Sequence, residues 1–225
     1  MLSITNYLFL SFTDMAFFTL QPVFLATPIH LGGLGLSPPE IGSYLGTFGL
    51  LNGTAQGLLF SKAVRSFGLK RLFLISLFCF IPMFALFPII SRLVRECERS
   101  PTVWTLVVSQ LLLACVAEFA FGRRPLLNSR QRGSYGPCCT FLGCVFMYVT
   151  SSVDNPRALG SVNGIGQTAG SLARAAGPAV STTLFAYTLQ NDWLGGLGVY
   201  VFFITISSCA FPLAYQLPEK AWEYK

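Results

Sequence analysis

Of the chain's 225 residues, 53% are hydrophobic and 11% charged, with a net charge of +6; ordinary soluble domains carry about 25% charged residues. Such a composition leaves too little polar surface to cover a soluble core. The seven cysteines (Cys79, Cys97, Cys115, Cys138, Cys139, Cys144 and Cys209) show no repeated ligand spacing and the single histidine, His30, sits near Pro28 in a loop, so no metal site, histidine-based catalytic centre or cofactor is expected.

Tyr7 to Ala26 is the first of several runs near the ~20 residues that cross a bilayer as helix. It carries Asp14 and Gln21, seven apart and therefore on one face. The run is too long for a signal-peptide core and lacks a cleavage-like end, so the span itself is expected to direct insertion. Ile41 to Phe60 follows, with Gly42, Gly46, Gly49, Gly53 and Gly57 at three- and four-residue intervals. Such a stripe admits close approach of another backbone. Asn52 and Gln56 lie one turn apart in the same run. Leu72 to Ser91 contains Pro82 and Pro88, which, like Pro22 and Pro178, are expected to kink helices rather than end them, because neighbouring helices satisfy the freed backbone groups. Val103 to Gly122 holds Gln110 and, near its end, Glu118. The Gly/Ala-rich segment from Leu159 to Leu189 repeats the glycine device with Gly160, Gly164, Gly166, Gly170 and Gly177, and brings Asn163, Gln167 and Arg174 to nearly one face. Leu194 to Tyr215 is the last apolar run.

The expected fold is therefore an all-α membrane protein: one six-helix transmembrane half-domain over 1–225, with spans at about 4–26, 41–62, 70–91, 103–122, 159–189 and 194–216. Intramembrane ionisable residues face the bundle interior or a water-filled pathway. Asp14, Gln21, Glu118, Asn163, Gln167 and Arg174 are accordingly the candidate substrate or proton pathway. Arg174 admits two readings: a strut that neutralises Asp14 or Glu118, or a group that handles substrate or proton. The amides also serve as contacts between helices.

The basic residues mark topology. Lys62, Arg65, Lys70 and Arg71 follow the second span; Arg123, Arg124, Arg130, Arg132 and Arg157 follow the fourth; Lys220 and Lys225 follow the sixth. In an alternating bundle these share one side, which the positive-inside rule makes cytoplasmic. Arg92, Arg95 and Arg99, partly offset by Glu96 and Glu98, fall opposite. Both termini are then cytoplasmic, and no nucleic-acid partner is implied.

LGGLGLSPPEIGSYLGTFGLLNGTAQ, then RSFGLKR, then NPRALGSVNGIGQTAGSLARAAGPAV resemble the C-terminal half of a major facilitator superfamily transporter. The likeness is to the drug:proton antiporter-like branch, with fungal general substrate transporters and zinc-induced-facilitator-like proteins. It implies a whole of twelve helices in two halves, with substrate bound between them and exchanged by rocking. The six spans match the seventh to twelfth helices, and the glycine-rich second and fifth match helices at the moving interface. Gly68, Lys70 and Arg71 match the basic end of the family's cytoplasmic loop signature, whereas Arg65 stands where the family has an acid. The N-terminal six-helix half is missing, so Met1 is expected to open a truncated gene model, a split gene or a degenerate copy.

The resemblance also implies a continuous fourth span, which here is interrupted at 123–143. Four arginines with Pro125 and Pro137 cannot enter lipid, since each arginine costs roughly 2.5 to 3.5 kcal/mol at a helix centre. Removing those residues joins AEFAFG to CVFMYVTSS, continuing the span at 144–153. An insertion or gene-model artefact such as an unspliced intron is expected, with a cytoplasmic loop as the alternative.

The functional expectation is a fragment of a secondary active transporter, proton-coupled, moving a small organic solute or metal complex by alternating access. Its partners are the lipid bilayer, a small-molecule substrate and the missing half; its setting is the plasma or vacuolar membrane. The alternative is a non-transporting membrane partner or regulatory subunit, or a non-functional truncated copy. No nucleophile–base or metal motif suggests an enzyme.

Overall fold

The computed structural model describes residues 2–67, 69–97, 100–118 and 159–216. Among the described residues every regular element is a helix, with no strand. The helices are α1 (Leu2–Ala26), α2 (Pro38–Phe67), α3 (Leu69–Cys97), α4 (Pro101–Ala117), α5 (Leu159–Gln190) and α6 (Gly198–Tyr215), with a short 3-10 turn at Ile29–Leu31. Pro22, Pro82, Pro88, Pro178 and Pro212 all lie inside helices. The interruption at 123–143 and the C-terminal lysines lie outside the described residues.

Among the described residues, three helices are long and apolar enough to cross a membrane: Ser3–Ala26, Lys70–Glu96 and Gly198–Tyr215. Helix α4 is apolar but shorter. At 30 and 32 residues, α2 and α5 have length to spare, about 45 Å or more at 1.5 Å per residue. Their glycines and polar side chains keep them out of the apolar set. The expected six spans thus meet length and apolarity together in three helices among those described.

Three helix boundaries have a clear local cause. Ser37 opens α2 with a capping box: its backbone N–H and its hydroxyl both donate to Glu40 Oε2 at 2.7 Å, ahead of Pro38 and Pro39. Ser100 precedes Pro101 at the start of α4, where proline's missing N–H costs nothing. After α1 the chain folds back on its own helix end. Leu34 N–H donates to Phe24 O at 3.4 Å and Leu36 N–H to Leu25 O at 2.9 Å, which satisfies two of the last carbonyls of α1, while Gly35 N–H donates to Thr27 O at 2.8 Å just beyond the helix.

Helix α1 is the centre of the bundle, packed on α5, α6 and α3. Its seam with α3 and α6 is aromatic. Phe84 of α3 stacks on Phe203 of α6 at 5.1 Å between ring centroids and meets Phe17 of α1 edge-on at 5.9 Å. Phe87 receives Phe24 edge-on at 5.0 Å and stacks on Tyr200 at 5.3 Å. Ring pairs of this kind add about 0.5–1.5 kcal/mol each beyond area burial. That matters where lipid tails remove the hydrophobic drive between helices.

The seam between α1 and α5 works differently. Gly166, Gly170, Ala173, Gly177 and Ser181 form a buried small-residue stripe on α5. A Cβ at Gly177 would lie 3.1 Å from Phe12 O and 3.3 Å from Ala16 N, so the two backbones run in close contact. Tyr7 packs at Gly170 and Ala16 at Gly177, which makes the two helices parallel. The stripe on α2 behaves otherwise. A Cβ at Gly42, Gly46, Gly49, Gly53 or Gly57 would meet nothing within 4 Å, and Gly160 and Gly164 of α5 are equally open. The close contact expected from the α2 glycines is absent among the described residues.

Candidate functional site

Four helices converge on the carboxyl of Asp14. Asp14 shares its face of α1 with the buried Leu10, Phe17 and Gln21, four, three and seven residues away, which turns the side chain inward, and it is buried. Glu118 ends α4, its backbone still helical and its N–H donating to Ala114 O. That helix end delivers the Glu118 carboxyl to face Asp14 within hydrogen-bonding reach. From α2, Gln56 Nε2 donates to Glu118 Oε2 at 3.2 Å. The amide tethers a helix that otherwise touches the bundle mainly through its first half, where Tyr44 donates to Val107 O at 3.1 Å and Phe48 packs at 6.0 Å from Phe18.

Arg174 approaches from α5. Its guanidinium carbon stands 5.8 Å from the centroid of the Tyr7 ring, and the group is within electrostatic reach of Asp14. The ring is also packed directly on Gly170, where any Cβ would collide with it. Tyr7 and Asp14 are seven residues apart on α1, so one face of that helix presents both an aromatic ring and an acid to α5. A cation over a ring gains about 0.5 to 2 kcal/mol.

The remaining candidates are strung along the bundle rather than gathered here. Gln21 lies two turns beyond Asp14 and is 1% exposed, and neither its amide oxygen nor its nitrogen has a hydrogen-bond partner among the described residues. Asn163 is half-buried, its side-chain oxygen likewise without a partner, while Gln167 is exposed. They precede Arg174 on α5 by eleven and seven residues, about 16 and 10 Å of helix. Gln110 donates through Nε2 to Met83 O at 2.9 Å and so joins α4 to α3. At the other candidate site, Lys70 sits 5.1 Å over the Tyr215 ring and Arg71 is exposed. Gly68 lies outside the described residues.

No family model and no solved structure matches the chain. Curated proteins do. It is 27% identical over 201 residues to the major facilitator superfamily multidrug transporter mfsB of Aspergillus fumigatus, a match covering 85% of this chain and 29% of that protein. It is 28% identical over 201 residues to the major facilitator-type transporter psiT2 of Psilocybe cyanescens, covering 88% and 35%. It is 26% identical over 202 residues to the efflux pump azaK of Aspergillus niger, covering 90% and 38%. Over most of its length the chain is similar to fungal major facilitator superfamily transporters. It spans between 29% and 38% of the length of these relatives.

Sequence reasoning named three members of the converged site, Asp14, Glu118 and Arg174, and treated Gln56 as a helix contact. It missed Tyr7. The signal was present in the seven-residue spacing from Tyr7 to Asp14, which sets the ring on the acid's face. As an aromatic at the start of an apolar run, Tyr7 carries no mark that separates it from ordinary core.

Proposed function

We propose that the chain is the C-terminal six-helix half of a proton-coupled secondary transporter for a small solute, working by alternating access against an N-terminal half. The observation that carries this reading is the facing pair of Asp14 and Glu118 inside a bundle of membrane-length helices. Two carboxyls at hydrogen-bonding reach hold a proton between them and repel each other once it leaves. Gln56 transmits that change to α2, because its amide bonds Glu118 from a helix otherwise loosely attached. Arg174 lies within electrostatic reach of Asp14 and steadies the pair when it is charged.

All six helices span in this reading, with Ser66, Lys70 and both termini cytoplasmic as the distribution of lysine and arginine directs. Residues 123–143 are an insertion that interrupts the fourth span. The N-terminal half docks on the open glycine faces of α2 and α5, beside Leu50, Leu51 and Leu58, which are exposed. The relatives' greater length supplies the material for that half.

A chimera tests the proposal. The homologous segment of the Aspergillus fumigatus relative is replaced by this chain, with and without 123–143, and ethidium movement is followed in inside-out vesicles. Gradient-dependent accumulation by the inserted chimera is the expected result. An inserted, folded chimera that moves no ethidium, where the relative itself does, refutes the transport reading.

A further inference from the structure

A cavity of about 140 Å³ lies at the end of the bundle opposite Lys70, between the end of α3, the turn after α1 and the turn before α6. Its polar lining is made of donors. Ser91, Arg92 and Arg95 occupy one face of α3 at spacings of one and three residues, and Tyr200 of α6 closes the other side. Gly195 and Gly196 complete the wall in a turn where Asp192 and Leu194 also hold positive φ, at 48° and 54°.

Both arginines are exposed, and Arg95 is held in place. Arg95 Nη2 donates to Leu31 O at 3.3 Å, which anchors its guanidinium across the cavity rim. Gly32, with φ at 93°, passes so close beneath that any Cβ would collide with Ser91 Oγ and meet Arg95 Nη2 at 2.8 Å. Tyr200 is 5% exposed, its ring fixed by stacking on Phe87, and Arg95 lies within its electrostatic reach. Among the described residues neither Arg92 nor Arg95 has a carboxylate within ion-pair distance. Two cations three residues apart on a helix repel one another. A guanidinium fork is shaped for the paired oxygens of a carboxylate or phosphate.

We propose that this cavity is an oxyanion site, holding one phosphate or carboxylate group between Arg92, Arg95, Ser91 and Tyr200. The inference is independent of the transport reading, because the Asp14–Glu118 pair lies elsewhere in the bundle. Its volume admits a single oxyanion group rather than a drug-sized solute. The group reaches the site as a free anion or as the headgroup of an anionic lipid.

The full chain in dodecyl maltoside micelles, which contain no phosphate, is dialysed to equilibrium against radiolabelled inorganic phosphate at fixed ionic strength. Saturable binding of one phosphate per chain is expected, weakened by at least about tenfold in Arg92→Gln/Arg95→Gln, equivalent to about 1.4 kcal/mol. Arg92→Lys/Arg95→Lys retains part of the affinity, since charge remains and the fork is lost. Tyr200→Phe keeps the stack on Phe87 and removes only the hydroxyl, so it weakens binding by a few-fold even if the arginine variants fold poorly. Added phosphatidylglycerol that displaces phosphate stoichiometrically assigns the site to a lipid headgroup, and phosphate bound undisturbed by it assigns a free anion. Absence of saturable binding by both phosphate and phosphatidylglycerol, or equal affinity in wild type, Tyr200→Phe and the folded arginine double variants, overturns the proposal.

Discussion

Replacing Gly177 by alanine adds a methyl group where the backbones of α1 and α5 run in close contact. The new Cβ would stand 3.0 Å from Met15 Cβ, 3.1 Å from Phe12 O and 3.3 Å from Ala16 N. Two of those neighbours are backbone, so relief requires α1 to shift as a body. Overpacking of this kind costs about 1–3 kcal/mol, set against a helix-propensity gain of about 0.8–1.0 kcal/mol for glycine to alanine. Gly53→Ala on α2 brings the same propensity gain with nothing within 4 Å of its Cβ. The propensity terms cancel in the difference, so Gly177→Ala should be less stable than Gly53→Ala by about 1–3 kcal/mol. Reversible unfolding by dodecyl sulfate in mixed micelles, followed by helical circular dichroism, measures both variants against wild type. A Gly177→Ala protein as stable as Gly53→Ala would refute the close seam. Repeating the pair with an N-terminal half present reverses the sign for Gly53→Ala if α2 docks there.

Gln21→Leu should leave stability unchanged or raised, because both amide atoms are buried without partners and an orphaned buried polar group costs about 1–3 kcal/mol; a loss of more than that by dodecyl sulfate unfolding would mean the amide is bonded. Tyr7→Leu should cost stability and Tyr7→Phe almost none, and a double-mutant cycle of Tyr7→Leu with Arg174→Met should give a coupling of about 0.5–2 kcal/mol. Zero coupling would show that the ring does not support the guanidinium. In a background lacking the native cysteines, an impermeant thiol reagent applied outside the cell should label His30→Cys and spare Ser66→Cys, both exposed positions; labelling of Ser66→Cys from outside would reverse the orientation.

Much of the helical architecture is readable from local rules. The capping box at Ser37, proline at the start of α4 and apolar runs of bilayer length are all local signals, and each bounds or fills a helix. What periodicity lacks is the identity of the partner. Phe17, Phe84, Phe87 and Phe203 form one aromatic seam, yet each is simply a phenylalanine in an apolar helix until three distant segments are brought together. The glycine stripes show the same limit. Those of α2 and α5 have equivalent spacing, but Gly170 and Gly177 lie against α1 while the α2 stripe faces open space. Small residues announce that a backbone will approach without saying whose. At the site, the scarcity of acids inside apolar runs singled out Asp14 and Glu118 by the expense of burying them. Arg174 was assigned a carboxylate partner by charge alone. It lies over the Tyr7 ring as well as within electrostatic reach of Asp14, because an arginine is supported by an aromatic face as well as by an acid.

The most direct test of the account is gradient-driven against equilibrium transport in Glu118→Gln, measured in proteoliposomes carrying the chimera with the Aspergillus fumigatus relative. Glutamine keeps the size of the side chain and its contact with Gln56 but cannot bind and release the proton shared with Asp14. The account predicts that ethidium accumulation driven by a pH gradient falls by at least about tenfold, while exchange of ethidium across the same vesicles without a gradient continues. Undiminished gradient-driven accumulation in Glu118→Gln would contradict the claim that the facing carboxyls carry the coupling proton.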